Sequence, residues 1–160
     1  MNSFLSWLEG GPVTEAIRGT PYLYPVLGSL HILGIALLVG PTAAFDLRLL
    51  GLGKRNLPVT TVAGFLLPLS RLGLVIAVCT GVLMFLPGAS VVVERGSAPW
   101  KLGLLLIAGA NVLVFHRRTY RTVSDWDLGE SPPAPARAAA VVSVTSWAGV
   151  TVAGSLLAYT

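Results

Sequence analysis

Four polar side chains interrupt otherwise apolar stretches of this sequence and could carry chemistry. They are His31, Arg71, Asn111 and His116. An ionisable group at the centre of a membrane span costs about 2.5–3.5 kcal/mol on insertion scales, so each of these residues needs a partner or a ligand. Neutral imidazole is the form that an apolar environment favours, and it can ligate haem iron or a metal ion. The two histidines are therefore the first candidates for haem or metal ligands.

His31 stands in the middle of the first apolar stretch, with Gly28 and Gly34 three residues away on either side. On a helix, these glycines would clear room for a flat cofactor beside the imidazole. Two interpretations stay open. His31 is either an axial ligand of haem b or a histidine that bonds to a backbone carbonyl of a neighbouring helix.

His116 comes directly before Arg117 and Arg118, which favours a solvated histidine at the membrane interface over a ligand. A haem clamped between His31 and His116 would require both at one depth. His31 is about ten residues from the outer end of its span and His116 about sixteen, a mismatch of about 9–10 Å at ~1.5 Å per residue. Depth therefore argues against one bis-histidine site, and a single-histidine site stays open.

The remaining polar candidates suit anions or helix contacts. Arg71 could bind a haem propionate or a lipid phosphate through two parallel hydrogen bonds, or form an ion pair with Asp46. Lys101, next to Trp100, is predicted to anchor the outer interface or to meet an anionic group. Asn111 is predicted to hydrogen-bond between helices.

Several standard sites are absent from the sequence. Cys79 is the only cysteine, so neither an internal disulfide nor a cysteine-ligated metal cluster can form. The sequence has no glycine-rich phosphate loop, no nucleophile elbow and no paired carboxylates. No carboxylate is expected to be buried within a span, which disfavours proton-coupled transport.

The composition shows what kind of element must position these residues. Of the 160 residues, 54% are apolar and only 11% are charged, whereas a soluble domain carries roughly 25% charged residues. The net charge is +4, but the basic residues flank apolar stretches and do not form a patch for nucleic acid. The sequence therefore predicts an integral membrane protein.

The predicted fold class is all-α, a membrane four-helix bundle in a single domain over residues 1–160. Spans are expected at about 22–44, 69–86, 100–115 and 138–159, since a span needs ~20 residues. Residues 1–20 are expected to form a short interfacial helix. Asp46 and Arg48 are placed in a turn after the first span, and Pro68 is expected to interrupt the lead-in to the second. A loop over 87–100 and a Pro- and Ser-rich linker over 124–137 complete the prediction.

The basic residues predict an orientation. One side of the membrane is expected to collect Arg48, Lys54, Arg55, Arg117, Arg118, Arg121 and Arg137. The other side collects Arg18, Arg95 and Lys101. By the positive-inside rule the first side is cytoplasmic, so both termini face outward from a bacterial inner membrane.

Small residues recur at helical spacing in the spans and predict close helix packing. The second span has Gly73, Ala77 and Gly81, the third has Gly103, and the fourth has Ser146, Gly149, Ala153 and Gly154. A flat cofactor lying against these faces is the alternative.

Three runs of the sequence resemble a family of small four-span bacterial membrane proteins of unknown function (DUF6644-like). They are YPVLGSLHILGIALLVG with DLRLLG in the first span, KLGLLLIAGANVLVFH in the third, and SWAGVTVAGSLLAY in the fourth. One histidine per span more distantly resembles the cytochrome b561-like and copper-resistance-D-like proteins, which implies haem b. Those proteins offer more histidines, in depth-matched pairs. In the fourth span the small family often has an arginine where this chain has Ser155.

Three functions are consistent with these residues, and none is a self-contained enzyme. The favoured prediction is a haem-b electron-transfer or anchor subunit of a bacterial redox complex, with His31 as axial ligand and His116, Arg71 and Lys101 as further cofactor contacts. The first alternative is a cofactor-free accessory subunit that docks on other membrane subunits or on itself. The second alternative is a small transporter or channel.

Overall fold

A computed structural model describes residues 2–52, 57–94 and 97–159, and this part of the chain is helical without strands. The helices are α1 (Asn2–Glu9), α2 (Pro12–Gly19), α3 (Leu23–Leu49), α4 (Val59–Phe85), α5 (Ala89–Glu94), α6 (Ser97–Arg117) and α7 (Ala134–Tyr159). Two 3-10 segments, Leu86–Gly88 and Thr119–Asp125, follow α4 and α6. The all-α prediction is confirmed. Lys54, Arg55 and Arg95, used to predict the orientation, lie outside the described residues.

Four helices are long and apolar enough to cross a membrane: α3, α4 with its extension to Glu94, α6 and α7. Most large apolar side chains on them, such as Ile32, Phe65 and Leu106, point outward and are exposed. In a soluble protein such surfaces would be buried, whereas lipid is a suitable solvent for them. The helices therefore form a membrane bundle.

The bundle is built from two helical hairpins. α3 packs against α4, α6 packs against α7, and the hairpins meet where α3 contacts α7. Within the described residues, α4 and α6 make no comparable contact. We call the end that holds the α3–α4 connection and the Thr119–Asp125 segment the arginine-rich end. The other end carries α1, α2 and α5, and we call it the amino-terminal end.

Glycines on both helices, Gly34 of α3 and Gly73 of α4, allow the close approach of α3 and α4. A Cβ at Gly73 would overlap the backbone of Leu38, and a Cβ at Gly34 would lie 2.8 Å from the Ala77 amide nitrogen. Nothing lies within 4 Å of the position of a Cβ at Gly103. The packing function predicted for the glycines of the second span is therefore confirmed, while Gly103 takes no part in it.

Two predicted boundaries are wrong. α3 continues through Asp46 and Arg48 to Leu49, so these residues lie in a helix and not in a turn. α4 begins at Val59 and runs through Pro68 without interruption. A proline is tolerated in a membrane helix when neighbouring groups satisfy the freed backbone carbonyl.

The connections between spans are also more ordered than predicted. The stretch expected as a loop after α4 contains α5. In the predicted linker, Trp126 is buried and Asp127 caps α4: the amide and hydroxyl of Thr60 both donate to its carboxylate at 2.8 Å. A carboxylate at a helix N-terminus satisfies free backbone N–H groups and complements the helix dipole. This connection therefore fixes the start of α4.

The amino-terminal end is closed by the helices predicted as one interfacial segment. α1 and α2 are separate helices that contact the connection between α4 and α6. Glu9 accepts hydrogen bonds from the Ser90 amide (2.8 Å) and hydroxyl (2.6 Å), and Arg18 donates to the Pro87 carbonyl. Phe4 and Trp7 stack on each other and stay exposed, as interfacial anchors do.

Candidate functional site

A cavity of about 110 Å³ lies inside the bundle towards the arginine-rich end. All four long helices line it, and its polar lining includes Thr42 and Asp46 (α3), Ser70 and Arg71 (α4), Asn111 and His116 (α6), and Ser143 and Trp147 (α7). The volume would hold about three or four waters, or a ligand of a few heavy atoms, since a water occupies about 30 Å³ in the liquid.

Asp46 places a carboxyl group in the wall of this cavity. The residue is only 4% exposed, it contacts the Ser143 hydroxyl, and its Oδ2 has no hydrogen-bond partner. The expectation that no carboxylate is buried within a span is therefore wrong, because α3 extends beyond the predicted boundary.

His116 turns an acceptor nitrogen towards the buried interior. Its Nδ1 lies 2.9 Å from the Val112 carbonyl oxygen, which can only accept, so Nδ1 carries the hydrogen. In the neutral ring Nε2 is then an acceptor, and this atom is buried without a partner. Phe115 and Tyr120 pack against the ring at centroid distances of 5.5 and 5.7 Å.

Trp147 adds a donor to the same cavity. Its Nε1–H is buried and unpaired. Buried polar groups in folded proteins are nearly always hydrogen-bonded to protein or to ordered water. Asp46, His116 and Trp147 all line this cavity, and each buries one polar atom that lacks a partner in the described structure.

Arg71 and Asn111 also line this cavity, but only the Asn111 side chain forms a hydrogen bond within the described structure. Arg71 is exposed, and the predicted ion pair with Asp46 is not formed in the described structure. Asn111 Nδ2 donates to the Ala139 carbonyl at 2.9 Å, which confirms its predicted interhelical bond.

His31 and Lys101 lie in the other half of the bundle. His31 Nδ1 is 2.9 Å from the Thr80 hydroxyl oxygen, and that hydroxyl donates to the Ile76 carbonyl at 2.6 Å. His31 Nδ1–H is therefore the donor to Thr80, and Nε2 keeps its lone pair. Lys101 is close enough to His31 to interact electrostatically.

The glycines beside His31 do not clear room for a cofactor as expected. Gly34 packs against Ala77, and a Cβ at Gly28 would lie 3.7 Å from Met84. The ring itself packs on Gly81, where a Cβ would be 3.0 Å from the imidazole Cε1. These glycines serve the contact between α3 and α4.

His31 and His116 do not share one site. On α3, the cavity that His116 lines begins at Leu38, seven residues beyond His31. Seven residues of helix span about 10 Å. Two histidines that clamp one iron must approach within a few ångströms. Among the described residues, no group of three or more His, Cys, Asp or Glu side chains could hold a metal ion.

An apolar layer separates the two polar regions. Leu38, Ala108 and Trp147 form a buried cluster with Val39, Leu105 and Val150 packed against it. This apolar cluster of α3, α6 and α7 therefore lies between the His31–Lys101 pair and the polar residues that line the cavity.

The fold and its interior define a four-span membrane protein with a cavity between its helices, mostly apolar in surface but lined by several polar residues. The chain belongs to the family of unknown function DUF6644, whose model matches residues 4–160. No curated protein and no solved structure matched the chain. The more distant likeness to cytochrome b561-like proteins is not shown by these comparisons and stays a prediction.

Sequence reasoning missed Asp46, Ser143 and Trp147 as cavity residues. Asp46 and Ser143 had a usable signal, because a polar residue spaced to share a helix face with small residues often points inward in a membrane bundle. Trp147 had no such signal, because a tryptophan in a membrane span can face lipid as readily as the interior of the bundle.

Proposed function

We propose that the protein is a small transporter or channel that moves protons through the bundle. In this proposal Asp46 and His116 exchange the protons. The observation that carries it is that three residues with an unpaired buried polar atom, Asp46 (Oδ2), His116 (Nε2) and Trp147 (Nε1), line one cavity between four spans. Ionisable groups that face the interior of a membrane bundle are typical of ion and proton pathways.

The arrangement of polar groups supports a route with a gate. Protons would enter the cavity from the arginine-rich end, where Arg71 is exposed at its edge. His31 and Lys101 continue the polar path beyond the apolar layer. The layer formed by Leu38, Ala108 and Trp147 keeps water out of the middle, and such constrictions gate membrane pathways.

The buried carboxyl group of Asp46 removes the objection to proton transport that the sequence raised, namely that no span was expected to bury a carboxylate. By the positive-inside rule, the arginine-rich end would face the cytoplasm of a bacterium, which places the cavity on the cytoplasmic side.

The test is proton flux in proteoliposomes that contain a trapped pH-sensitive dye. A potassium gradient with valinomycin supplies the driving voltage. We expect wild-type protein to acidify or alkalinise the lumen severalfold faster than protein-free vesicles, and Asp46→Asn to remove this excess. His116→Gln should reduce it.

Asp125→Asn is the matched control, because Asp125 is an exposed carboxylate near the same end and does not line the cavity. This variant should conduct like wild type. A wild-type flux equal to that of empty vesicles would overturn the proposal, and so would an Asp46→Asn variant of normal helicity that conducts normally.

Haem-b electron transfer at His31 is the second candidate function. The observation that favours it is the hydrogen bond to Thr80, which fixes the tautomer with the lone pair on Nε2, the form that ligates iron. A haem would have to lie outside the contact of α3 with α4, where Gly34 and Gly81 are packed. In this candidate Lys101 would pair with a propionate, and the separation along α3 argues against His116 as second ligand of the same iron. When bound, haem would supply one-electron redox chemistry.

A visible spectrum of protein expressed with haem supply tests this candidate. A Soret band that is lost in His31→Ala and kept in His116→Ala would support it. Pure, colourless protein at good yield would rule it out.

A further inference from the structure

We propose that a groove between α4 and α6 binds the headgroup of an anionic phospholipid, with Arg71 as the group that recognises the phosphate. This α4–α6 groove has a volume of about 190 Å³. Its lining includes Thr60, Gly64, Pro68 and Arg71 of α4, with His116 and Tyr120 opposite. The proposal does not depend on proton transport.

The groove exists because the two helices on either side of it do not pack together. α3 and α7 connect the two hairpins, and α4 and α6 make no comparable contact in the described part of the chain. The gap is therefore open sideways, towards the membrane. A molecule that fills it would come from the lipid phase.

Arg71 gives this gap a positive charge that no described residue neutralises. The residue is exposed, and Asp46, the ion-pair partner considered from the sequence, does not pair with it. Asp127 lies near the start of the groove, but the amide and hydroxyl of Thr60 occupy its carboxylate. A guanidinium in a membrane span requires an anionic or polar partner, and it binds phosphate with two parallel hydrogen bonds.

The direction of the Arg71 side chain fits a headgroup. Side chains on a helix tilt towards its N-terminus, which for α4 is the arginine-rich end. Thr60, Gly64 and Pro68 precede Arg71 on the same face, so the guanidinium can reach along the groove towards the membrane surface. Tyr120 offers a hydroxyl on the opposite wall.

Gly64 leaves space for the lipid itself. A Cβ at this position would meet no atom within 4 Å, unlike the glycines that pack α4 against α3. Gly64 is thus an open position in the floor of the groove, next to the charge that would hold the phosphate.

The lipid would also cover the edge of the polar cavity. Leu67, Arg71 and His116 line both the groove and the cavity, so the two are adjacent. A phosphate on Arg71 would neutralise the charge at this edge, while the acyl chains would close the lateral opening to the cavity.

Native mass spectrometry of the full chain in a mild detergent tests the proposal. Phosphatidylglycerol and phosphatidylcholine with identical acyl chains would be titrated separately, and inorganic phosphate alone would form a third arm. We expect one tightly bound phosphatidylglycerol, with phosphatidylcholine binding more weakly. Arg71→Gln should weaken phosphatidylglycerol binding about tenfold or more, as expected for loss of hydrogen bonds to a charged group.

Two further variants separate this site from general electrostatics and from misfolding. Arg121→Gln removes an exposed arginine near the same end that does not line the groove, and it should keep wild-type binding. Gly64→Leu should fill the groove and weaken binding with Arg71 intact, since the added side chain has open space.

Equal losses in Arg71→Gln and Arg121→Gln would overturn the proposal, because they would show unspecific attraction. Equal affinity for phosphatidylglycerol and phosphatidylcholine would contradict the preference for an anionic headgroup. Binding of inorganic phosphate that phosphatidylglycerol does not displace would assign Arg71 to a free anion instead of a lipid. Unchanged binding in both Arg71→Gln and Gly64→Leu would exclude the groove.

Discussion

Gly73 of α4 lies directly against the backbone of Leu38 in α3, so that a side chain as small as methyl at position 73 would overlap the Leu38 amide nitrogen. Close backbone approach at small residues is what holds helices together in lipid, where burial of apolar surface gives little driving force. The contact continues at Gly34 with Ala77 and at Thr42 with Ser70. It sets the register of the hairpin that positions Asp46 beside the cavity.

We predict that Gly73→Ala destabilises the protein by about 1–3 kcal/mol, the usual cost of overpacking a well-packed interface. Gly64→Ala is the control on the same helix, because a Cβ there meets nothing within 4 Å. Thermal unfolding in detergent, followed by tryptophan fluorescence, compares the two. Equal melting temperatures for the two variants would contradict the close contact.

Thr80→Val should cost about 1 kcal/mol, because it removes the hydroxyl that accepts from the part-buried Nδ1–H of His31. Thr80→Ser keeps the hydroxyl and should retain most of the stability. The free energy of unfolding in a mixed detergent titration measures both. If Thr80→Val matched Thr80→Ser, the His31–Thr80 hydrogen bond would contribute nothing measurable.

Asn111→Ala should reduce the free energy of unfolding by only about 0.6 kcal/mol, the average for interhelical hydrogen bonds in a membrane protein. The bond to the Ala139 carbonyl is one hydrogen bond in the larger contact between α6 and α7. Ser29→Ala, which removes an exposed hydroxyl bonded within its own helix, serves as the control. A loss of several kcal/mol in Asn111→Ala would indicate that Asn111 has a further function in the cavity.

Docking of the amino-terminal helices should depend on pH through Glu9. Hydrogen bonds from the hydroxyl and amide of Ser90 lower the pKa of Glu9 below its ordinary value of 4.5 when α1 is docked. Because the docked pKa is the lower one, this contribution is complete well above pH 4.5 and is lost as pH falls through the docked pKa.

Hydrogen exchange of residues 2–19, measured from pH 7 down to about 3 after correction for the intrinsic rate, would report this release. Glu9→Gln should abolish the pH dependence, while Glu15→Gln, an exposed carboxylate on α2, should leave it intact. Protection that stays constant with pH in wild type would refute the prediction.

The spans and their packing faces could be predicted well from the sequence, whereas the residues at which the helices begin and end could not. The apolar runs identified all four spans because lipid requires long stretches without charge. The first boundary was placed before Asp46, since a charged residue ordinarily ends a span. Asp46 is instead buried next to Ser143 of α7. Small residues on the same helix face could have indicated that Asp46 points inward, but no local signal identifies its partner on a helix distant in sequence.

Pro68 shows the same limit for backbone structure. A proline removes one helical hydrogen bond, so the sequence predicted an interruption. α4 nonetheless remains a continuous helix through Pro68. Whether a proline breaks a membrane helix depends on neighbours that the local sequence does not specify.

The sequence by itself determined that this protein is an all-α membrane bundle, because hydropathy and charge spacing are properties of single segments in lipid. It also identified the small-residue face of α4 and the polar residues that need partners. Only the tertiary structure decided which of those residues meet. Antiparallel packing of α3 on α4 sets His31 against Thr80, and the contact of α3 with α7 brings Asp46 to Ser143. These encounters depend on helix register and rotation, which arise from contacts between residues far apart in the chain.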